Sequence, residues 1–232
     1  MKILLFSDTH LFKKFDDKKF NFLERIISKS DKVIILGDFW DDSLTTFDEF
    51  VKSDWNKLFP LLKNKHTVYV YGNHDRKEFS DEKVSLFSDM QTDKYTFQVE
   101  GRIFVAEHGD RFFKKHLTYY LTYGGPLREF FMSKFFITLR FLVFDELLTK
   151  LFGKAFLNKR LHYNQYIKKV KIDEFKKGEI LICGHTHAAE IDLKNNFINT
   201  GLIRHGIGQY LTIDGENISL EEEWYSKPPL LD

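Results

Sequence analysis

Seven side chains suited to metal binding stand in five short clusters: Asp8 with His10, Asp38, Asn73, His108, and His185 with His187. Each cluster closes an apolar run. Asp8 and His10 follow 2–6, Asp38 follows 32–36, and Asn73 follows 67–71; His108 follows 102–106, and the last pair follows 179–183. Mixed carboxylate, imidazole and amide oxygen suits borderline-hard divalent cations: Mn²⁺ first, with Fe²⁺, Zn²⁺, Co²⁺ or Mg²⁺ as alternatives. A closed structural zinc site would favour thiolates and four ligands. The chain's one cysteine, Cys183, lies in an apolar run and reads as a core residue. Seven donors are too many for one small ion that keeps a water, but natural for two ions sharing a carboxylate. Gly37, Gly72, Gly109 and Gly184 adjoin these residues, where sharp turns or close backbone approach are needed.

The elements that must position these residues alternate along the first half. Apolar runs at 2–6, 32–36 and 67–71 read as strands buried on both faces. Helical spacing covers 15–30, with Phe22, Leu23, Ile26 and Ile27 on one face, and again 47–62. Runs 95–99 and 102–106 flank Glu100-Gly101 and read as a hairpin. From 111 to 170 the signal is helical. Short strands resume at 179–183, 191–193, 196–200, 209–213 and 218–220, with a turn at Asp214-Gly215. This alternation predicts an α/β fold whose ligands gather where strands end.

Composition is that of an ordinary globular chain, with 232 residues, 43% hydrophobic and 30% charged. The net charge of +1 makes no electrostatic case for nucleic acid as partner of the whole chain. A single cysteine excludes an intrachain disulfide and is compatible with a reducing compartment. The opening residues 1–6 are too short for a signal-peptide core. No apolar run reaches the ~18 residues of a membrane span; the nearest, 135–144, is broken by Arg140. A cytoplasmic location is expected.

Five blocks in order, Asp8-x-His10, Gly37-Asp38-(x)2-Asp41, Gly72-Asn73-His74-Asp75, His108 and Gly184-His185-x-His187, resemble the signature of the calcineurin-like metallophosphoesterases. The resemblance implies an α/β (α+β) fold, a four-layer β-sandwich flanked by helices, with a helical insert (111–175) over the metal site of a single domain. It implies one cation held by Asp8, His10, Asp38 and His187, a second held by Asp38, Asn73, His108 and His185, and Asp38 as the bridge. Two cations ~3.5–4 Å apart acidify and orient a water and neutralise phosphoryl oxygens. His74 fits a general acid toward the leaving oxygen, or a donor to a phosphoryl oxygen. Asp75 is expected to orient His74 or a ligand histidine. Asp41 is expected near Asp38, and either acid could instead cap a helix or join an ion pair. Arg76, Arg204 and His205 are candidates for contact with substrate. His66, His116 and His162 lie outside the motifs. His66 reads as a surface residue, while the other two fall in the insert and could face a substrate.

The insert differs from the rest of the chain. Residues 111–170 carry twelve Lys or Arg against three acids, and fifteen aromatics, including Phe112-Phe113, Phe130-Phe131 and Phe135-Phe136. Basic plus aromatic on helices fits either a lid packed on itself or a peripheral contact with anionic lipid at the inner membrane face. The layout of His108-Gly109-Asp110, a helical insert and Gly-His-Thr-His is similar to the UDP-2,3-diacylglucosamine hydrolase branch, which implies a lipid-linked pyrophosphate substrate. His74 departs from that branch, which has Arg there; Arg76 comes two places later. A nuclease or nucleotide phosphodiesterase of the same superfamily is the alternative, and a scaffold that has lost catalysis is a third. The third is opposed by the presence of His74 and all seven ligand positions.

Overall fold

The computed structural model describes residues 1–113, 144–171, 175–176 and 178–227. The greater part of the expected insert, with His116, lies outside the described residues, as does 228–232.

Strands β1 (Lys2–Phe6), β2 (Lys32–Leu36), β3 (Val68–Val70) and β4 (Met90–Thr92) run parallel in one sheet. The hairpin β5 (Lys94–Val99) and β6 (Arg102–Glu107) begins a second sheet with β7 (Ile180–Cys183), β8 (Glu190–Asp192) and β9 (Phe197–Asn199), in the order β5-β6-β7-β9-β8. The chain then returns to the first sheet through β10 (Ile203–Arg204), β11 (Ile207–Asp214) and β12 (Asn217–Trp224). β11 lies antiparallel beside β1, with Lys2 opposite Asp214 and Leu5 opposite Leu211.

Alternation along the strands decides which core each residue enters. Ile3 and Leu5 of β1, with Ile34 and Leu36 of β2, point between the sheets and meet Phe104, Ala106, Ile180 and Ile182. Leu4 and Phe6, with Val33 and Ile35, point the other way. There they meet helices α1 (Asp17–Ser28), α2 (Phe47–Lys52) and α3 (Phe59–Asn64). On the far side of the second sheet, Leu181, Cys183 and Phe197 pack against Phe112, Phe113 and Ile167 of a helix. The result is helices, sheet, sheet, helices. Cys183 is buried in the outermost of these cores, as a small apolar residue.

Two helices of the insert are described, α4 (Asp145–Asn158) and α5 (Leu161–Val170). α5 is anchored by polar contacts. Asn164 donates to the Ala188 carbonyl at 2.8 Å and accepts from Thr186 Oγ1 at 2.7 Å, and Lys168 bridges Glu190 and Asp192, each at 2.7 Å. Among the described residues no helix is long and apolar enough to cross a membrane.

Strands β4 and β10 were not expected, and three further elements differ from expectation. The helix expected over 47–62 is broken into α2, a 3₁₀ turn at Asp54–Leu58, and α3. Pro60 is tolerated at the start of α3, where its missing N–H costs nothing. β12 runs on through Glu221–Trp224, although acids are poor strand formers, because its full length is paired with β11. The Asp214-Gly215 turn falls one residue later, on Gly215-Glu216. The Glu100-Gly101 hairpin is as expected, both residues having positive φ (47° and 77°), the two-residue turn that suits strand twist.

Candidate metal centre

All seven expected ligands lie where strands of the two sheets end on one side of the molecule. β1, β2 and β3 of the first sheet lead to Asp8, His10, Asp38 and Asn73, and β6 and β7 of the second lead to His108, His185 and His187. Asp8, His10 and His187 converge, as do Asp38, His108 and His185, with candidate ligand atoms of each trio within 4.8 Å of one another. Asp38 Oδ2 lies 3.3 Å from His108 Nε2 and 3.7 Å from His10 Nε2, so its carboxylate faces both groups. Asn73 Oδ1 is 3.1 Å from His108 Nε2.

The backbone is bent to make this possible. Asp8, His10, Asp38, His185 and His187 all have φ between 45° and 65°, the left-handed region that L side chains rarely occupy. Such strain persists only where the surroundings enforce it, and it concentrates at functional sites. The strand ends are also pressed together. A Cβ on Gly184 would collide with Ser7 Oγ and Asp8 Oδ2, and one on Gly72 with Asp38 Oδ1.

Hydrogen bonds fix the imidazole tautomers. His108 Nδ1 donates to the Leu36 carbonyl at 2.8 Å, and His10 Nδ1 donates to Asp41 Oδ2 at 3.0 Å. Each Nε2 is thereby turned toward the carboxylates. Burial, then the charge of Arg204, pulls the His10 pKa down to about 4 against the pull of Asp41, so that ring is neutral with its Nε2 lone pair inward. That Nε2 is buried with no hydrogen-bond partner, 3.9 Å from Asp8 Oδ1, which faces His187 Nε2 at 3.1 Å. Burial also lowers His185 to about 4, with His108 adding to the effect. The carboxylates stay ionised. Burial works to raise Asp8, but His187 and His108 together outweigh it and bring the pKa down to about 2; His108 and His74 hold Asp38 well below its ordinary value despite burial. Burial opposes a charged His108, yet Asp38 and Asp8 lift its pKa well above the usual range, so a proton collects where a metal cation would be at home. Two buried carboxylates, neutral imidazoles and an orphaned lone pair are a donor set that a divalent cation fits. At His187, Arg160 donates to Nδ1 at 2.6 Å, which leaves the Nε2 proton facing Asp8 Oδ1 at 3.1 Å. A cation on Nε2 would replace that proton, and Arg160 would then have to release Nδ1.

Around the seven, Asp41 orients two histidines: Oδ2 holds His10, and Oδ1 lies 3.2 Å from His74 Nδ1. Burial opposes its charge, but Asp41 and Asp38 raise the His74 pKa to about 10. Asp75 does not orient a histidine. Its carboxylate instead accepts backbone N–H bonds from Asp38 at 2.9 Å, Phe39 at 2.6 Å and Gly72 at 2.7 Å, clamping the turn that carries Asp38. Arg76 is exposed, its charge reaching Asp42 and not the ligand cluster. Arg204 is buried and close enough to His10 to be felt electrostatically, and His205 senses His187. His66 is exposed, 2.9 Å from Asp89, and His162 is exposed against the Lys159 carbonyl, so neither meets the site. Sequence reasoning missed Asp42, 3.8 Å from His74, together with Lys19 and Arg160. Asp42 carried a signal, standing beside Asp41 in the second block, whereas Lys19 and Arg160 look like ordinary helix-flank basics.

A two-sheet α/β fold with a buried Asp-His-Asn cluster where its strands end defines a metal-dependent phosphoesterase. The chain belongs to the calcineurin-like phosphoesterase family, whose model matches residues 1–189. Solved structures similar to it include an archaeal phosphodiesterase, at 18% identity, covering 97% of this chain and 99% of that one with a TM-score of 0.49. Another is YfcE, a phosphoesterase from E. coli, at 14% identity, 97% and 100% coverage and a TM-score of 0.48. A third is Vps29 complexed with Zn²⁺ from Entamoeba histolytica, at 13% identity, 97% and 100% coverage and a TM-score of 0.44. No curated protein sequence matches the chain.

Proposed function

We propose that this chain hydrolyses phosphoesters with two divalent cations, one held by Asp8, His10, Asp38 and His187, the other by Asp38, Asn73, His108 and His185. The observation that carries the reading is the convergence of Asp8, His10 and His187, and of Asp38, His108 and His185, with His10 Nε2 buried and without a hydrogen bond among them. When bound, the cations supply Lewis acidity toward phosphoryl oxygens and acidify water. The chain's own residues do the rest. Asp41 holds the His10 and His74 rings, and Asp75 holds the Asp38 turn. His74, kept protonated at neutral pH by Asp41 and Asp38, gives its proton to the leaving oxygen. Adding Mn²⁺ to chelated protein should raise turnover of a nitrophenyl phosphodiester or phosphomonoester, bring metal content to about two per chain, and raise the melting temperature. Turnover no better than that of Asp8→Ala on every such substrate would sink the reading.

A lipid-linked pyrophosphate is the finer substrate reading. It is supported by Phe144, Leu147 and Phe152 at 53%, 49% and 48% exposure on or next to α4, in an insert whose sequence is strongly basic. The full chain should sediment with vesicles containing anionic lipid, and Leu147→Ser with Phe152→Ser should sediment several-fold less. Equal sedimentation of the two proteins, or none by either, would count against lipid contact.

A further inference from the structure

We propose that Lys19, Arg160, Arg204 and His205 form an anion subsite on the His187 side of the metal centre, built to take a second phosphoryl group. Adjacency to a reacting phosphoryl rests on the hydrolase reading; the subsite itself rests on these four side chains.

Lys19 lies on the buried face of α1, beside Phe22, Leu23 and Ile26, at 7% exposure. Its ammonium donates to the carbonyl of Thr9, between Asp8 and His10, and that is its one acceptor among the described residues. An ammonium has three donors, and no carboxylate of the described residues forms an ion pair with this one. Asp16 supplies a counter-charge without an ion pair, and burial still lowers the ammonium's pKa to about 7; an anion from outside the chain would hold it charged.

The other three bases crowd the same place. Arg204, at 6% exposure, follows Ile203, whose N–H reaches the Asp8 carbonyl at 3.4 Å. Burial, then Arg204, depresses the Lys19 pKa to about 7, which places the two charges against each other. Arg160, at the junction of α4 and α5, reaches His187 Nδ1 at 2.6 Å. His205 sits among them: after burial, what holds its ring neutral is first the charge of Arg204 and then that of Lys19. Its side chain makes no hydrogen bond to a described residue, and its φ of 58° is that of the two-residue turn it forms with Gly206 between β10 and β11, which presents the ring at the tip of that hairpin. Three cations and a neutral imidazole, from three separate segments, crowd the region beside the metal ligands. A phosphoryl group, with several acceptor oxygens and negative charge, would satisfy Lys19 and His205 and offset the repulsion.

The phosphoryl could be the neighbour of the scissile one in a diphosphate substrate, or the phosphate released by hydrolysis. Calorimetric titration of the Mn²⁺-loaded full chain with inorganic pyrophosphate and with inorganic phosphate separates these. Lys19→Met and His205→Asn are the variants; the first replaces a buried cation by an apolar chain of similar length, and the second keeps a residue that tolerates positive φ. Each should weaken pyrophosphate binding by about tenfold, the loss of one charge-assisted hydrogen bond. If phosphate binding is unchanged, the occupant is a neighbouring phosphoryl; if both anions weaken together, it is product phosphate. Undiminished binding of both anions to both variants overturns the proposal. Turnover of a nitrophenyl phosphomonoester by the same preparations reports on the hydrolase reading independently, because calorimetry needs no reaction.

Discussion

Asp38→Asn should lower turnover by about three powers of ten or more while leaving the chain folded. Asn keeps the oxygen that accepts the His74 backbone N–H at 2.8 Å, so the Asn73 turn stays in place. It removes the negative charge that faces His108 at 3.3 Å and His10 at 3.7 Å, and with it the shared ligand of both proposed cations. Metal charge contributes several kcal/mol to stabilising a phosphoryl-transfer transition state, which sets the scale of the rate loss. Stability should fall in the variant with and without metal. In the chelated protein the substitution removes the counter-charge of His108 and His74, the groups that hold Asp38 ionised, and the melting temperature should drop. With Mn²⁺ the wild type should gain more than the variant, because stabilisation follows RT ln(1 + [L]/Kd). Two cations per chain in Asp38→Asn, with the full thermal gain, would show that Asp38 is not the bridge.

His74→Gln should cost about 10²- to 10⁴-fold in turnover of an alkyl phosphoester, whose leaving oxygen needs a proton. The same substitution should cost far less with a nitrophenyl ester, whose leaving group is stable as an anion, and metal content should not change. An equal loss on both substrates would point to a structural or metal-binding role instead. The ring also predicts a pH signature in the chelated protein. Its folded pKa, raised to about 10 by Asp41 and Asp38 against burial, lies above the ordinary value of about 6.5. A raised value means that the stabilisation is fully present below about 6.5 and is lost as pH climbs through 10. Wild type should therefore lose melting temperature relative to His74→Gln across that window. Parallel curves would mean that the ring is not held charged.

Much of this was legible in the residues. The sandwich was readable because Leu4-Leu5-Phe6 and Ile34-Ile35-Leu36 leave no polar face, which only a strand covered on both sides can bear. The ligands were readable because each polar cluster interrupts such a run abruptly. The partners of those ligands were not. Asp75 follows His74 directly, yet its carboxylate turns to N–H groups of the Asp38 turn, 36 and 37 residues away, and no local pattern encodes that meeting. Lys19 looks like any lysine in a helix until α1 docks and its side chain is enclosed. The single helix expected over 47–62 failed because the apolar spacing continues through Ser53, where the backbone turns extended at ψ 168°. The left-handed conformation of five ligands is equally hard to read in sequence, since Asp and His adopt it more often than most residues but do not announce it as Gly would.

The placement of β11 carries a consequence for how the chain is made. Asp8 and His10 are synthesised long before residues 211–214, whose strand lies antiparallel beside β1. At roughly 5–20 residues per second, about 10–40 s separate the two. Throughout that interval β1 has an open edge, and the segment that bends Asp8 and His10 into their strained conformation is bordered on one side only. A nascent chain halted at residue 189 would hold all seven ligands, the entire span of the family match, and still lack the neighbour that seats the first two. Assembly of the centre is therefore timed by the synthesis of β11 and not by that of the ligands themselves.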